Sequence, residues 1–141
     1  MKQTILLSSI TFSLLVIMLS GCNYGYDDCH NTIHLKNNSN KSIYYVSSLK
    51  QNFFNYDPTN PEYAADQKID SDEEINVRIG IQLSCWEQVL ENAGGYVYIY
   101  IYDAAYLDGD IAWQDAKSNY IKEYKLSVKD LQQMKWRISF S

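Results

Sequence analysis

The two histidines are the first residues to examine for chemistry. His30 and His34 lie in the stretch His-Asn-Thr-Ile-His, which lacks the glutamate and the long helix of a zinc-protease motif. The chain also has no Gly-x-Ser-x-Gly, no glycine-rich phosphate loop and no Cys-x-x-Cys. The specific signals for a nucleophile elbow, a nucleotide site and a thioredoxin-like site are therefore missing. We predict no catalytic residues, no metal and no cofactor, and we expect the histidines at a strand edge or on the surface.

Carboxylates are the other residues that could carry out a reaction. Asp103, Asp108 and Asp110 surround a glycine, but their spacing fits no EF-hand, so we expect a solvated loop. Two carboxylates can hydrolyse a glycosidic bond when the fold places them a few ångströms apart, and a sequence does not show that separation. A small envelope hydrolase that acts on glycan through paired carboxylates therefore stays open as an alternative.

Cys22 follows a leader of distinctive composition. Lys2 is the only charge before an apolar run from Ile5 to Leu19, which is shorter than the roughly 20 residues of a membrane-spanning helix and indicates a signal peptide. Ser20-Gly21 then leads directly into Cys22, and this resembles the bacterial lipobox. The resemblance implies cleavage before Cys22, diacylglycerol on its sulfur and a fatty acid such as palmitate on its amine. The alternative is an ordinary signal peptide that leaves Cys22 free or disulfide-bonded.

The leader divides the chain into three parts. Residues 1–21 are predicted to be a lipoprotein signal peptide, residues 22–30 the acylated cysteine and its tether, and residues 31–141 one globular domain. The tether carries Asp27 and Asp28, and this acidic pair resembles the export signals of surface lipoproteins from Bacteroidetes-type bacteria. The resemblance implies an outer-membrane protein on the cell surface or the periplasmic face, whereas the plain alternative is a solvated linker. The formal net charge of −5 argues against nucleic acid as a partner.

Cys29 and Cys85 remain in the mature chain. If the leader directs export, both reach an oxidising compartment, where a disulfide is the expected state. The bond would close a loop of more than fifty residues and tie the first strand to the middle of the domain. Two unpaired buried thiols are the alternative.

The strongest structural pattern is the alternating stretch Tyr96 to Tyr102. In a strand, its three β-branched residues face one side and its four tyrosines face the other. We expect the β-branched side in the core. The other predicted core residues are Ile33, Leu35, Ile43, Val77, Ile79, Trp86, Leu131, Trp136 and Ile138. The tyrosine side, with Tyr98 and Tyr100 at its centre, is either a binding platform or a face covered by a second layer, such as the helix expected after Ser84 or the one after Val128.

Other segments complete a mainly-β domain. Its class is a β-sandwich or mixed sheet of about six strands with two or three short helices. Alternation and capping signals predict the following elements: strands at Thr32–Lys36 and Ser42–Ser47, paired as a hairpin; a strand at Ile75–Ile79; a helix from Ser84 to Asn92; a strand at Tyr120–Leu126; a helix at Val128–Met134; and a strand at Trp136–Phe140.

The segment from Gln51 to Gln67 is predicted to be a long loop. Asp57-Pro58 and Asn60-Pro61 oppose regular structure there, and loops of this length are often functional. Its aromatic residues are candidates for binding a glycan or protein: Phe53, Phe54, Tyr56 and Tyr63.

A broader resemblance covers most of the mature chain. Ile43-Tyr44-Tyr45 after an Asn-rich turn, the tyrosine strand ending in Asp103, and the C-terminal segment Leu-Ser-Val-Lys-Asp-Leu-Gln-Gln-Met-Lys-Trp are similar to small uncharacterised lipoproteins of gut Bacteroides-type bacteria. That family has no established activity to carry over. Together these observations predict a non-catalytic envelope lipoprotein that acts as a binding module and meets the membrane through its lipid anchor.

Overall fold

The computed structural model describes residues 29–54, 56–77 and 85–141. These residues form seven strands and five short helices, which confirms the mainly-β class. The predicted leader, Cys22 and the tether as far as Asp28 lie outside the described residues. The elements in chain order are β1 (Ile33–Asn37), β2 (Ile43–Ser48), α1 (Ala64–Gln67), β3 (Lys68–Ile69), β4 (Glu74–Val77), α2 (Trp86–Asn92), β5 (Val97–Asp103), α3 (Ala104–Leu107), α4 (Trp113–Ala116), β6 (Lys122–Leu126), α5 (Val128–Gln133) and β7 (Arg137–Phe140).

The strands form two sheets. The three-stranded sheet has the order β4-β1-β7, in which β1 is antiparallel to β4 and parallel to β7. The four-stranded sheet has the order β3-β2-β5-β6, and all of its pairs are antiparallel. The tyrosine strand β5 is therefore an interior strand with a neighbour on each side, as its unbroken β-branched and aromatic pattern favours.

The predicted hairpin of β1 and β2 is wrong, because the two strands belong to different sheets. The reason lies in Asn37, a buried residue at the end of β1. Its side-chain nitrogen Nδ2 donates to the backbone oxygen of Lys41 at 2.6 Å. The same nitrogen lies 3.1 Å from the backbone oxygens of Ile69 and Asp70. These bonds fix a corner, so the Asn-rich turn carries the chain from one sheet to the other.

One hydrophobic core contains residues of both sheets and of helices α2 and α5. The β-branched residues of β5 belong to it, which confirms the predicted inner face of that strand. Ile79, another predicted core residue, lies outside the described residues. The other predicted core residues are all present: Ile33, Leu35, Ile43, Val77, Trp86, Val97, Ile99, Ile101, Leu131, Trp136 and Ile138.

The two longest helices begin in different ways. At α5, the Ser127 hydroxyl accepts from the backbone nitrogen of Asp130, and the Asp130 carboxylate accepts from the backbone nitrogen of Ser127. This is the predicted capping box. At α2 the N-cap residue is Cys85, without a side-chain cap. Ser84 and Glu87 have the S-x-x-E spacing of a capping box, in which Glu87 would reach back toward Ser84. Glu87 is instead hydrogen-bonded to His30, and Ser84 lies outside the described residues.

Candidate binding surface

The tyrosines of β5 lie on the face of the four-stranded sheet that is opposite the main core. They form a second cluster with Tyr44 and Val46 of β2. Residues 49–54, 56–67 and 104–121 cover this cluster, and we call them the outer layer. The covering side chains are Phe54, Tyr56, Ala64, Ala104, Leu107, Trp113, Ala116 and Tyr120. The tyrosine face is therefore covered, but by the outer layer, while α2 and α5 pack into the main core.

Hydrogen bonds accompany the burial of the tyrosine hydroxyls. The Tyr100 hydroxyl accepts from the backbone nitrogen of Asn52 at 2.8 Å, and the Tyr102 hydroxyl donates to the backbone oxygen of Lys117 at 2.7 Å. Burial, which disfavours the phenolate, raises the pKa of both tyrosines. Tyr98 and Tyr100, proposed from the sequence as binding residues, are buried. Both rings pack within the tyrosine cluster, so their role in the structure is packing.

The four candidate aromatic residues of the long loop fall into two pairs that differ in exposure. Phe54 packs edge-on against Tyr100, with ring centroids 4.9 Å apart, and the Tyr56 hydroxyl donates to Gln67 at 3.2 Å. These two residues help to cover the tyrosine face. Phe53 and Tyr63 are 52% and 40% exposed. Phe54 and Tyr56 are half-buried, so the second pair is the more accessible to a partner.

Exposed apolar side chains are concentrated in the outer layer. Within the described ranges, six large apolar side chains are exposed, and five of them belong to this layer: Phe53, Tyr63, Tyr106, Ile111 and Ile121. The sixth, Tyr96, lies beside β5 with the Lys125 ammonium 4.3 Å from its ring centroid. The sequence analysis did not single out Tyr106, Ile111 or Ile121. The available signal for Tyr106 and Ile111 was a large apolar residue within a segment otherwise typical of turns, whereas Ile121 belongs to the strand predicted at Tyr120–Leu126.

A groove of about 600 Å³ opens in the outer layer beside Tyr106. Its volume is within the range of about 300–1,000 Å³ that is usual for ligand pockets. The Tyr106 hydroxyl accepts from the Asn119 side chain at 2.9 Å, which fixes the ring and leaves the hydroxyl proton free to donate. Ala105 and Ile121 add apolar surface, and Asp103 adds a carboxylate. We call this the Tyr106 groove.

The carboxylates near this groove are engaged by lysines. Asp103 is 3.0 Å from the Lys41 ammonium, and Asp108 is 2.7 Å from the Lys68 ammonium. The hydrogen bonds from these lysines are the main cause that lowers the pKa of each carboxyl group. A general acid in glycoside hydrolysis needs the opposite shift. Asp110 is exposed, as expected for the solvated loop.

His30 is fixed to the domain by several contacts. Its Nδ1 lies 2.6 Å from Glu87, and its backbone nitrogen donates to the same carboxylate at 3.1 Å. Next to it, Cys29 and Cys85 form the predicted disulfide, with Cα atoms 5.1 Å apart. The sequence analysis assigned Cys29 and His30 to the tether, but both are held against the folded domain.

A second groove, of about 640 Å³, lies where the chain before β1 meets the turn between α5 and β7. We call it the His30 groove. His34 lines it as well, with Nδ1 3.4 Å from Glu74. Its lining residues are Cys29, His30, Asn31, Thr32, His34, Gln132, Lys135, Trp136 and Arg137.

Metal binding has no ready site in the described part of the chain. No three side chains of histidine, cysteine, aspartate or glutamate come together there to hold an ion. Among the helices of these same residues, none has the length and apolar character needed to cross a bilayer.

The comparisons with known proteins give no relatives. No protein-family model, no curated protein and no solved structure matches the chain. Functional proposals for this protein therefore rest on its own residues.

Proposed function

We propose that the protein is a non-catalytic envelope lipoprotein, anchored in the outer membrane through Cys22, that binds a glycan or protein partner with its outer layer. The observation that carries this proposal is the concentration of exposed apolar side chains in that layer, five of the six found among the described residues. Covering the tyrosine cluster requires inward-facing side chains such as Phe54 and Trp113. It does not require Phe53 and Tyr106 to face solvent, so a second role for those residues is favoured.

The chemistry of the Tyr106 groove favours a neutral glycan over a charged ligand. Its carboxylate, Asp103, is already paired with Lys41, so the groove offers little uncompensated charge. The Tyr106 ring supplies an apolar platform, and its hydroxyl and the Asn119 amide are positioned polar groups. A sugar ring presents an apolar C–H face and hydroxyl groups, which match such a surface.

Electrostatics disfavours the alternative of a small envelope hydrolase. Asp103 lines the Tyr106 groove and Asp108 follows α3. The lysine partners of both lower the pKa of these two carboxyl groups. Both therefore remain ionised at neutral pH, whereas paired-carboxylate hydrolysis requires one protonated acid.

The test uses the full-length lipoprotein in a neutral detergent, with a glycan array and with affinity capture from envelope extract. Three proteins are compared with the wild type: the double variant Phe53→Ala/Tyr63→Ala, Tyr106→Ala, and the control Tyr96→Ala. Tyr96 matches Tyr106 in exposure, 39% against 38%, but lies outside the outer layer. If Tyr106 contributes a stacking contact, its loss should weaken glycan binding at least about tenfold, and Tyr96→Ala should not.

Two results would contradict the proposal. The first is a detected interaction that neither outer-layer variant changes, which would place the binding surface elsewhere. The second is turnover of a glycan by the purified protein that disappears in Asp103→Asn or Asp108→Asn, which would make the protein a hydrolase. If an envelope protein binds in the absence of glycan and the same variants weaken that binding, the proposed binding surface is supported and its partner is a protein.

A further inference from the structure

The His30 groove has a charge character unlike that of the whole chain. The sequence contains 17 acidic residues and 12 lysines and arginines. The groove is nevertheless lined by Lys135, Arg137 and both histidines, and no aspartate or glutamate is among its lining residues. Asn31, Thr32 and Gln132 add neutral hydrogen-bond donors. Glu74 and Glu87 lie behind this lining and balance part of its charge. An anion would therefore be held chiefly by the Lys135 ammonium, by the remaining N–H groups of Arg137 and by the neutral donors.

Carboxylates outside the lining orient its basic side chains. Glu87, a buried residue, holds Nδ1 of His30 at 2.6 Å. Glu74 lies 3.4 Å from Nδ1 of His34 and 2.6 Å from Nη1 of Arg137. Each imidazole therefore keeps its Nε2 for another partner, to which it donates when the ring is protonated, and the guanidinium keeps most of its five N–H donors. Carboxylates thus position His30, His34 and Arg137. Lys135 is an exposed side chain.

The backbone of the groove wall is also unusual. Lys135 and Trp136 both have positive φ angles, 53° and 60°, in a region that is unfavourable for residues with a Cβ atom. This turn brings the Trp136 indole under the His30 ring and leads directly into Arg137. Residues held in such conformations cluster at functional sites.

We propose that the His30 groove binds an oxyanion of the phosphate type, carried by a lipid headgroup or by a small phosphorylated molecule. Several convergent donors suit a group with several acceptor oxygens, and arginine suits it in particular because its planar fork matches phosphate geometry. The groove volume of about 640 Å³ leaves room for the organic part of the ligand.

The position of the groove favours a lipid headgroup as the source, and this part of the inference rests on the proposed lipid anchor. Cys29, in the groove wall, is the seventh residue after Cys22. Seven residues span at most about 25 Å. A domain anchored through Cys22 therefore holds the His30 groove within reach of the headgroups of its own membrane.

The experiment uses the histidines as reporters. The chain contains only two histidines, and both line the groove, so their ring protons give two assignable NMR signals in the full-length protein without a histidine tag. One arm titrates the protein in neutral detergent with inorganic phosphate, at fixed pH and with ionic strength held constant by chloride. The other arm adds phosphatidylglycerol to the micelles or, as a zwitterionic counterpart in which choline offsets the phosphate charge, phosphatidylcholine. We expect saturable shifts of both ring signals with at least one phosphate source and none with phosphatidylcholine.

The variants separate a built site from general charge attraction. Lys135→Gln/Arg137→Gln should weaken binding at least about tenfold. Lys122→Gln, a change of an exposed lysine on β6 away from the groove, should leave it unchanged. The ring-current shift of His30 over Trp136 reports whether each variant is folded.

Each outcome has a defined meaning. Shifts with phosphatidylglycerol alone support the proposal with a lipid source, and shifts with inorganic phosphate as well support it with a free phosphorylated ligand included. The proposal is overturned if neither probe shifts the signals, if phosphatidylcholine shifts them equally, or if Lys122→Gln weakens binding as much as the groove variant. None of these variants lies in the outer layer, so a failure here leaves the glycan or protein binding proposed there untouched.

Discussion

The imidazole of His30 lies flat against the indole of Trp136, with ring centroids 4.2 Å apart and an angle of 14° between the planes. His30 is tied to α2 as well, because its backbone oxygen accepts from the Trp86 backbone nitrogen at 2.8 Å. His30, in the segment that precedes β1, thus joins helix α2 to the turn between α5 and β7. The point at which the tether meets the domain is therefore fixed by both covalent and non-covalent contacts.

Glu87→Leu should destabilise the domain through His30. The change removes the acceptor of both the backbone nitrogen and Nδ1 of His30, and an unsatisfied, partly buried donor costs about 1–3 kcal/mol. Glu87→Gln keeps an acceptor oxygen and should cost less. Urea unfolding measures the difference. The control is Gln88→Leu, at an exposed position of the same helix, which should change the free energy of unfolding by less than about 0.5 kcal/mol. An equal loss of stability in Glu87→Leu and Gln88→Leu would contradict the prediction.

Removing the disulfide should lower stability more than any single hydrogen bond does. Cys29 and Cys85 are 56 residues apart in the sequence, and in the chain-entropy model a loop of this length contributes about 4 kcal/mol. We expect Cys29→Ser/Cys85→Ser to lower the free energy of unfolding by about 2–4 kcal/mol. Thermal unfolding of the wild type should also become easier in reductant, whereas the double variant should be insensitive to it. A wild type with the same transition in both conditions would exclude the bond.

The sequence predicts well those elements whose pattern is local. β5 shows an unbroken alternation that no helix would produce, and α5 has a capping box written within four residues. The main core also follows from local patterns, since its members are apolar residues at strand or helix spacing. These features need no knowledge of which strand pairs with which.

What the sequence does not reveal depends on contacts between distant residues. The corner at Asn37 requires the backbone oxygens of Ile69 and Asp70, more than thirty residues away, so a short Asn-rich turn is easily taken for a hairpin. The two halves of the outer layer meet over the tyrosine cluster, where Phe54 packs edge-on against Trp113. Until the position of the outer layer is known, it cannot be inferred that Tyr98 is a packing residue or that Tyr106 is exposed.

Cys22→Ser should release the protein from the membrane without unfolding the domain. The prediction follows from the lipobox resemblance, because several acyl chains on Cys22 would supply the membrane affinity. Detergent phase partitioning of the wild type and the variant measures it, and the retained fold can be checked by the Cys29–Cys85 bond in the variant. An intact mass of the wild-type protein that still contains residues 1–21 and has no added lipid would contradict the anchor.

Alkaline pH should unfold the domain through its buried tyrosines. Burial is the main cause that raises the pKa of five of them: Tyr44, Tyr56, Tyr100, Tyr102 and Tyr124. In the unfolded chain a tyrosine ionises near pH 10, while in the folded domain these five stay protonated to higher pH. The unfolded state therefore loses protons first, so stability is fully present below about pH 10 and falls as the pH rises above it.

Tyr102→Phe tests this linkage at the tyrosine with the largest pKa increase of the five. Each tyrosine that stays protonated only in the folded state contributes a slope of about 1.4 kcal/mol per pH unit above pH 10, and the variant should lose one such contribution. Its stability at pH 8 should also fall by about 1 kcal/mol, because the backbone oxygen of Lys117 loses its hydroxyl donor. Urea unfolding between pH 8 and 11, together with tyrosinate absorbance, measures both effects. Ionisation of all thirteen tyrosines in one step near pH 10 with the domain still folded would show that the tyrosine face is open to water.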